Sequence, residues 1–203
     1  YNGVPLRAER DSAVAMRAPY RILAVGHFVR KKGFDQLLMA SRILADAGID
    51  FRIDFAGYGL LRWQLKWLIY RIKLSDRVHF HRFVRHVAIT KLCAVADMLI
   101  MPCVVAPSDD RDGLPTGILD APMYHVPVVT TAVSGIPEFI EDGVTGLLAE
   151  ECGPAALAAA MRHLIANRDE ADAMAERGRG RVRAQFDPER NHRHVLALYE
   201  QYV

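Results

Sequence analysis

Residues 21–38 read RILAVGHFVRKKGFDQLL. A short apolar run ends in a glycine, three basic residues follow, and a second glycine opens an amphipathic stretch. RILAVG (21–26) has the signature of a buried strand. FDQLLMASRILADAG (34–48) predicts a helix, with Leu37, Leu38, Ile43 and Leu44 at helical spacing and Gly48 as its stop. Strand, basic loop and helix make one unit, and the alternation of strand and helix continues along the chain without an internal repeat.

Further strands are expected at FRIDFAG (51–57), RVHFH (77–81), DMLIMP (97–102), VPVVTT (126–131) and TGLLAE (145–150). Helices are expected over 60–74, 88–95, 116–124, 135–143, 154–167, 169–184 and 188–202. This alternation predicts an α/β fold: a Rossmann-like open parallel sheet with helices on both faces. Ligands of such sheets bind beyond the carboxyl ends of the strands. The loops to inspect are therefore 26–33, 57–60, 81–87, 102–116 and 131–138.

Composition narrows the function classes. The 203 residues suit one sizeable domain, and 26 lysines and arginines against 24 acids leave no field to attract nucleic acid. No apolar run reaches the roughly 20 residues that span a bilayer. Cys93, Cys103 and Cys152 lie far apart without CxxC spacing, so neither a disulfide framework nor a zinc site is expected. A reducing, cytoplasmic setting is the expectation.

Two loops carry candidate chemistry. In GHFVRKKG (26–33), Lys32 stands beside a helix start, where amide N–H groups and the dipole favour an anion. Neither GxxxxGK[ST] nor GxGxxG is present, so the loop is no known phosphate fingerprint, and taken alone it reads more readily as a solvated turn with surface lysines. In DGLPTGILD (112–120), Pro115 suits the first turn of a helix. The N–H groups of Leu114, Thr116 and Gly117 are then helix-start donors able to face a diphosphate. Gly113 and Gly117 allow close approach to the backbone. Asp112 precedes the donors, and Asp120, one turn on, suits vicinal hydroxyls. A capping acid and a surface acid are the plain alternative. Ser134 and Gly135 lead into another short helix at Ile136 and Pro137, a third place for backbone donors.

The stretch LLRWQLKWLIYRIKL (60–74) has two apolar stripes where an ordinary surface helix has one. Leu61, Leu65, Leu68 and Ile72 form the first, and Leu60, Trp63, Trp67, Tyr70 and Leu74 the second. Arg62, Lys66, Arg71 and Lys73 lie between them. Aromatics tucked under a neighbouring loop are one reading, and contact with a membrane surface or a partner is the other.

The ordered set VGHFVRKKGFDQLL, DFAGYG, DRVHFHRFV, ADMLIMPC, DGLPTGILDA and PVVTTAVSGIPEFIEDGVTGLL resembles glycosyltransferase family four. The resemblance is to that family's carboxyl-terminal, nucleotide-sugar-binding half within the two-domain GT-B fold, and it covers 20–150. It implies a linker over 1–19, whose YNGV is similar to the family's interdomain segment, a donor-binding domain over 20–186, and a carboxyl-terminal helix over 187–203. A separate amino-terminal acceptor domain is the implied partner.

The resemblance also implies roles. The family's paired glutamates fall on Asp112, touching the transferred sugar, and Asp120, holding the ribose. Its phosphate-binding arginine and lysine fall on His27 and Lys32, with Arg30 available to compensate for His27. Gly57, Arg82 and Phe83 border the nucleotide, and Gly113, Leu114, Pro115, Thr116, Gly117, Ser134 and Gly135 supply backbone contacts. The sequence departs from the family by shortening both acids, by placing Arg82 where a glycine is frequent, and by inserting Pro122 into the helix of Asp120. The implied reaction is retaining transfer of a sugar from a nucleotide diphosphate to an acceptor hydroxyl, without metal or cofactor, in exopolysaccharide or glycolipid synthesis. A non-catalytic nucleotide-sugar-binding module, or another GT-B enzyme such as a sugar-nucleotide epimerase, is the alternative. The base, uracil or guanine, is left open.

Overall fold

Six apolar runs become six parallel strands in the computed structural model, which describes residues 16–81, 86–187 and 191–193. They are β1 (Tyr20–Val25), β2 (Phe51–Ala56), β3 (Val78–His81), β4 (Met98–Met101), β5 (Val128–Thr131) and β6 (Leu147–Ala149). Their order across the sheet is β3-β2-β1-β4-β5-β6. The direction of succession thus reverses between β1 and β4, where Leu23 lies opposite Leu99.

Helices cover both faces. Ile22 and Ala24 point into one core with α1 (Phe34–Asp46), α2 (Arg62–Arg71) and α5 (Pro154–Ala166). Leu23 and Val25 point into the other with α3 (His86–Cys93), α4 (Thr116–Asp120) and α6 (Arg168–Gln185). This two-residue alternation along β1 is the pleat itself, and it explains why its run reads as continuously apolar.

Phe28 ties the loop after β1 to the core. It is fully buried, packs edge-on against Phe34, Phe55 and Phe80, and its N–H donates to the Tyr58 carbonyl at 2.7 Å. A buried aromatic ring inside an otherwise polar loop fixes the flanking basic residues relative to the sheet.

Three expected helices differ. The helix over 116–124 ends at Asp120 and continues as a single 3₁₀ turn, Ala121–Tyr124. Pro122 lacks the N–H that α-helical bonding requires. The helix over 135–143 is one 3₁₀ turn, Ile136–Glu138, because Phe139 and Ile140 turn into the core. Leu74, expected on the outer stripe of 60–74, is fully buried, since α2 stops at Arg71 and the chain turns inward. The expected linker up to residue 15 lies outside the described residues, as does the final helix except for 191–193, which are helical.

Two glycines predict opposite outcomes. Gly33 has φ 59°, and a Cβ there would meet the Pro102 carbonyl oxygen at 1.9 Å. Gly180 lies within α6 with open space around it. Gly33→Ala should lower stability by more than about 1–2 kcal/mol, the left-handed penalty alone. Gly180→Ala should raise it by about 0.5–1 kcal/mol. Thermal and urea unfolding check both, and a stable Gly33→Ala protein would refute the close approach.

Candidate functional site: the cleft between β1 and β4

The sheet's carboxyl edge brings four loops together at the reversal of strand order. The β1 and β2 exits touch: Gly26 donates to the Ala56 carbonyl at 3.0 Å, and a Cβ on Gly57 would lie 1.9 Å from the Gly26 oxygen. Only glycine fits at 57. The Lys32 side chain then passes over Gly26, because a Cβ at 26 would meet Lys32 Cε at 2.9 Å. From the other side, Val104 N–H donates to the Lys31 carbonyl at 2.9 Å.

Lys32 Nζ lies 2.8 Å from Asp112 Oδ2, with both side chains largely enclosed, 11% and 16% exposed. Lys31 Nζ lies 2.9 Å from Asp110 Oδ1 and 3.8 Å from Asp112 Oδ1. The hydrogen bond to Asp110, with the nearby Asp112 charge, holds the Lys31 ammonium above its ordinary range. Two cations and two carboxylates therefore balance. The cleft presents a charge-compensated quartet in place of a bare positive patch.

The start of α4 follows Asp112 by four residues. Gly117 packs on the strand ends, where a Cβ would lie 3.2 Å from Met101 Sδ and 3.6 Å from Val25 Cβ. Pro115 is the N-cap, with ψ 129°, so the helix begins at Thr116. This corrects the expected register by one residue. Thr116 and Gly117 supply first-turn N–H groups, whereas Leu114 precedes the helix. The turn at Ser134 and Gly135 completes the wall: a Cβ on Gly135 would stand 3.5 Å from the Gly113 carbonyl. Thr130 Oγ1, donating to the Met101 carbonyl at 2.8 Å, and Thr131 Oγ1, donating to that of Cys103, stitch β5 to the same edge.

Asp120 is buried, 6% exposed, so the surface-acid alternative does not hold for it. Its charge acts on Cys93 and Tyr124 beneath α4. His27 is exposed, its ring centroid 4.5 Å from that of Tyr58 in an edge-on pair. Arg30 is also exposed, and lines a groove against α2. No described contact joins either of them to the Lys32–Asp112 pair. Arg82 and Phe83 lie outside the described residues.

Sequence reasoning missed three participants. Lys31, Asp110 and Tyr58 each sit one or two residues from a chosen position, and the KK pair gives no sign that both lysines reach Asp112. Cys103 is a fourth neighbour, its Sγ 3.8 Å from Asp112 Oδ2. Burial pushes its thiol to about 12, the Lys32 charge pulling the other way. That makes it a packing residue and no nucleophile.

An open parallel sheet carrying a polar, glycine-lined cleft at its order reversal defines the general class of ligand-binding α/β domains. The chain belongs to the glycosyl transferases group 1 family, whose model matches residues 7–181. It is 33% identical over 186 residues to the amylovoran biosynthesis glycosyltransferase AmsK of Erwinia amylovora, covering 92% of this chain and 46% of that protein. It is 30% identical to the putative colanic acid biosynthesis glycosyltransferase WcaL of Escherichia coli K12, with 92% and 46% covered. Among solved structures, Anabaena HepE in complex with UDP and glucose superposes with a TM-score of 0.80 at 21% identity, covering 90% of this chain and 48% of that one. This likeness establishes the fold, a Rossmann-like domain of the GT-B kind. The chain spans about half the length of the curated relatives it matches, at 46% of each of these two.

Thiol reactivity checks the packing of the cleft. Burial also drives Cys93 to about 12, while Cys152 is exposed. Of the three cysteines, only Cys152 should react promptly with Ellman's reagent at pH 8, and all three after unfolding. Fast release of a second equivalent from the native chain would contradict the packing around Cys103 or Cys93.

Proposed function

We propose that this chain is the donor-binding half of a cytoplasmic glycosyltransferase. It moves a sugar, with retained configuration, from a nucleotide diphosphate to an acceptor hydroxyl in exopolysaccharide or glycolipid synthesis. An amino-terminal domain supplies the acceptor site. The observation that carries this reading is the Lys32–Asp112 contact of 2.8 Å between the loops at the reversal of strand order, four residues before α4. Family membership and the polysaccharide-assembly names of AmsK and WcaL support it further.

The neutral quartet gives the mechanism its form. A diphosphate carries more negative charge than one carboxylate, so Lys32 exchanges Asp112 for phosphate when donor enters. Asp112, released, accepts from the hydroxyls of the sugar, and the Thr116 and Gly117 amides receive the second phosphate edge. Lysine charge and amide dipoles then stabilise the departing diphosphate, a task that metal ions perform elsewhere. Asp120, buried at the end of α4, holds the ribose hydroxyls, and the close-packed Gly26–Gly57 backbone borders the nucleoside beside β2. The acids are a methylene shorter than the glutamates of the resemblance. The short span between Lys32 and Asp112 fits that shortening.

Calorimetry with UDP, GDP and their sugars tests the reading. One of the two bases should give heat, and Lys32→Ala should weaken it about tenfold or more, the value of a charge-assisted hydrogen bond. Silence with every ligand would refute donor binding. Gly113→Ala offers a cleaner probe, because a Cβ there meets nothing within 4 Å. Its unfolding midpoint should stay put while donor affinity falls.

Asp112→Asn separates the exchange from simple attraction. Freed of its competitor, Lys32 should hold the bare nucleoside diphosphate up to about fivefold more tightly, the scale of a partly exposed ion pair. Transfer by a longer form carrying the preceding domain should drop by orders of magnitude. Weaker diphosphate binding, or unchanged turnover, would remove Asp112 from this role.

A further inference from the structure

The outer face of α2 belongs to neither core. Leu60, just before the helix, and Trp63, Trp67 and Tyr70 recur at three- and four-residue intervals and are 91%, 73%, 59% and 77% exposed. Leu65 and Ile69 are buried on the opposite side, so the helix already has its inner stripe. The expectation that the aromatics are tucked under a loop is not met. Four large apolar side chains aligned in water on one helix face mark a contact surface.

The charges on this segment have one sign, while Asp35 and Arg30 line the groove beside it. Between Ala56 and Ser75 stand Arg62, Lys66, Arg71 and Lys73, with no acidic residue. Lys66 Nζ lies 5.0 Å from the Trp63 ring centroid, and the Arg71 guanidinium 4.8 Å from that of Trp67. Each indole therefore carries a cation at its face, an arrangement that lets ring and charge reach the same depth. Beside this face runs an apolar groove of about 780 Å³, bounded by Leu61, Leu65, Leu68, Phe34 and Val104.

We propose that this face of α2 docks on the anionic surface of a lipid bilayer, with Trp63 and Trp67 at headgroup depth and Lys66 and Arg71 against lipid phosphates. Charge complementarity selects this occupant. Protein interfaces disfavour lysine at their centre, whereas tryptophan flanked by lysine and arginine suits the water–lipid boundary. Attachment is peripheral, and no described helix is long and apolar enough to cross a membrane. The docking stands on α2 alone and does not depend on what the cleft between β1 and β4 binds.

Trp63 and Trp67 are the two tryptophans of the chain, so its indole emission reports on this face alone. The 203-residue chain is titrated with vesicles of phosphatidylcholine and of phosphatidylcholine mixed with phosphatidylglycerol. Emission should shift to the blue and be quenched by brominated lipid only with the anionic vesicles, and high salt should reverse both. Lys66→Gln and Arg71→Gln should each lower partitioning about fivefold, the worth of one basic residue at such a surface. Both positions are on the helix exterior, and circular dichroism checks the fold. Unaltered emission with anionic vesicles at low salt overturns the proposal. A blue shift that instead follows protein concentration without vesicles, with a dimer in sedimentation velocity, also overturns it in favour of a second copy.

Discussion

The close crossing of two loops over the strand-order reversal is the constraint on which the rest depends. Gly33 presses against the Pro102 carbonyl, the Val104 N–H holds the Lys31 carbonyl, and Lys32 reaches Asp112. The first loop carries only a single 3₁₀ turn, Arg30–Lys32, to hold such a position. Phe28 supplies the missing rigidity from below and the β5 threonines from the side. The two parallel strands beneath, β1 and β4, are buried on both faces, so the cleft stands on the least deformable part of the molecule.

On this account, electrostatic balance in the empty cleft is part of the function. A cleft holding uncompensated lysines would bind many anions, including free phosphate. One in which each lysine already has a carboxylate yields only to a ligand that offers more than charge. In the proposed function a sugar diphosphate does so by satisfying Asp112 with hydroxyls as it occupies Lys32. Selectivity then resides in the coupling between the two exchanges, which no single residue carries.

Much of this was legible in the sequence, for identifiable reasons. Strands β1 and β4 are buried on both faces, so their runs are unbroken, and α1 shows its inner stripe clearly. The loops of interest followed from the alternation alone, since a doubly wound sheet delivers every strand's exit to one edge. Lys32 and Asp112 were found this way, and they meet. What escaped is set by tertiary packing. Pro122 cut a helix short, buried Phe139 and Ile140 dissolved another, and the inward turn of Leu74 reassigned one stripe. Lys31 and Asp110 are identical in type to Lys32 and Asp112, and only the path of the backbone brings all four together. The exposure of Trp63 and Trp67 was equally undecided until the neighbours of α2 were in place.

A nuclear magnetic resonance titration of the isotopically labelled chain with its nucleoside diphosphate addresses the central claim most directly. Glycine amides fall in an uncrowded spectral region, and Gly26, Gly33, Gly113, Gly117 and Gly135 all line or support the cleft. The account predicts that these five signals, with Thr116, move most and saturate together at one affinity. Shifts concentrated along α5 or α6, with the glycines of the β1 and β4 exits unmoved, would contradict it.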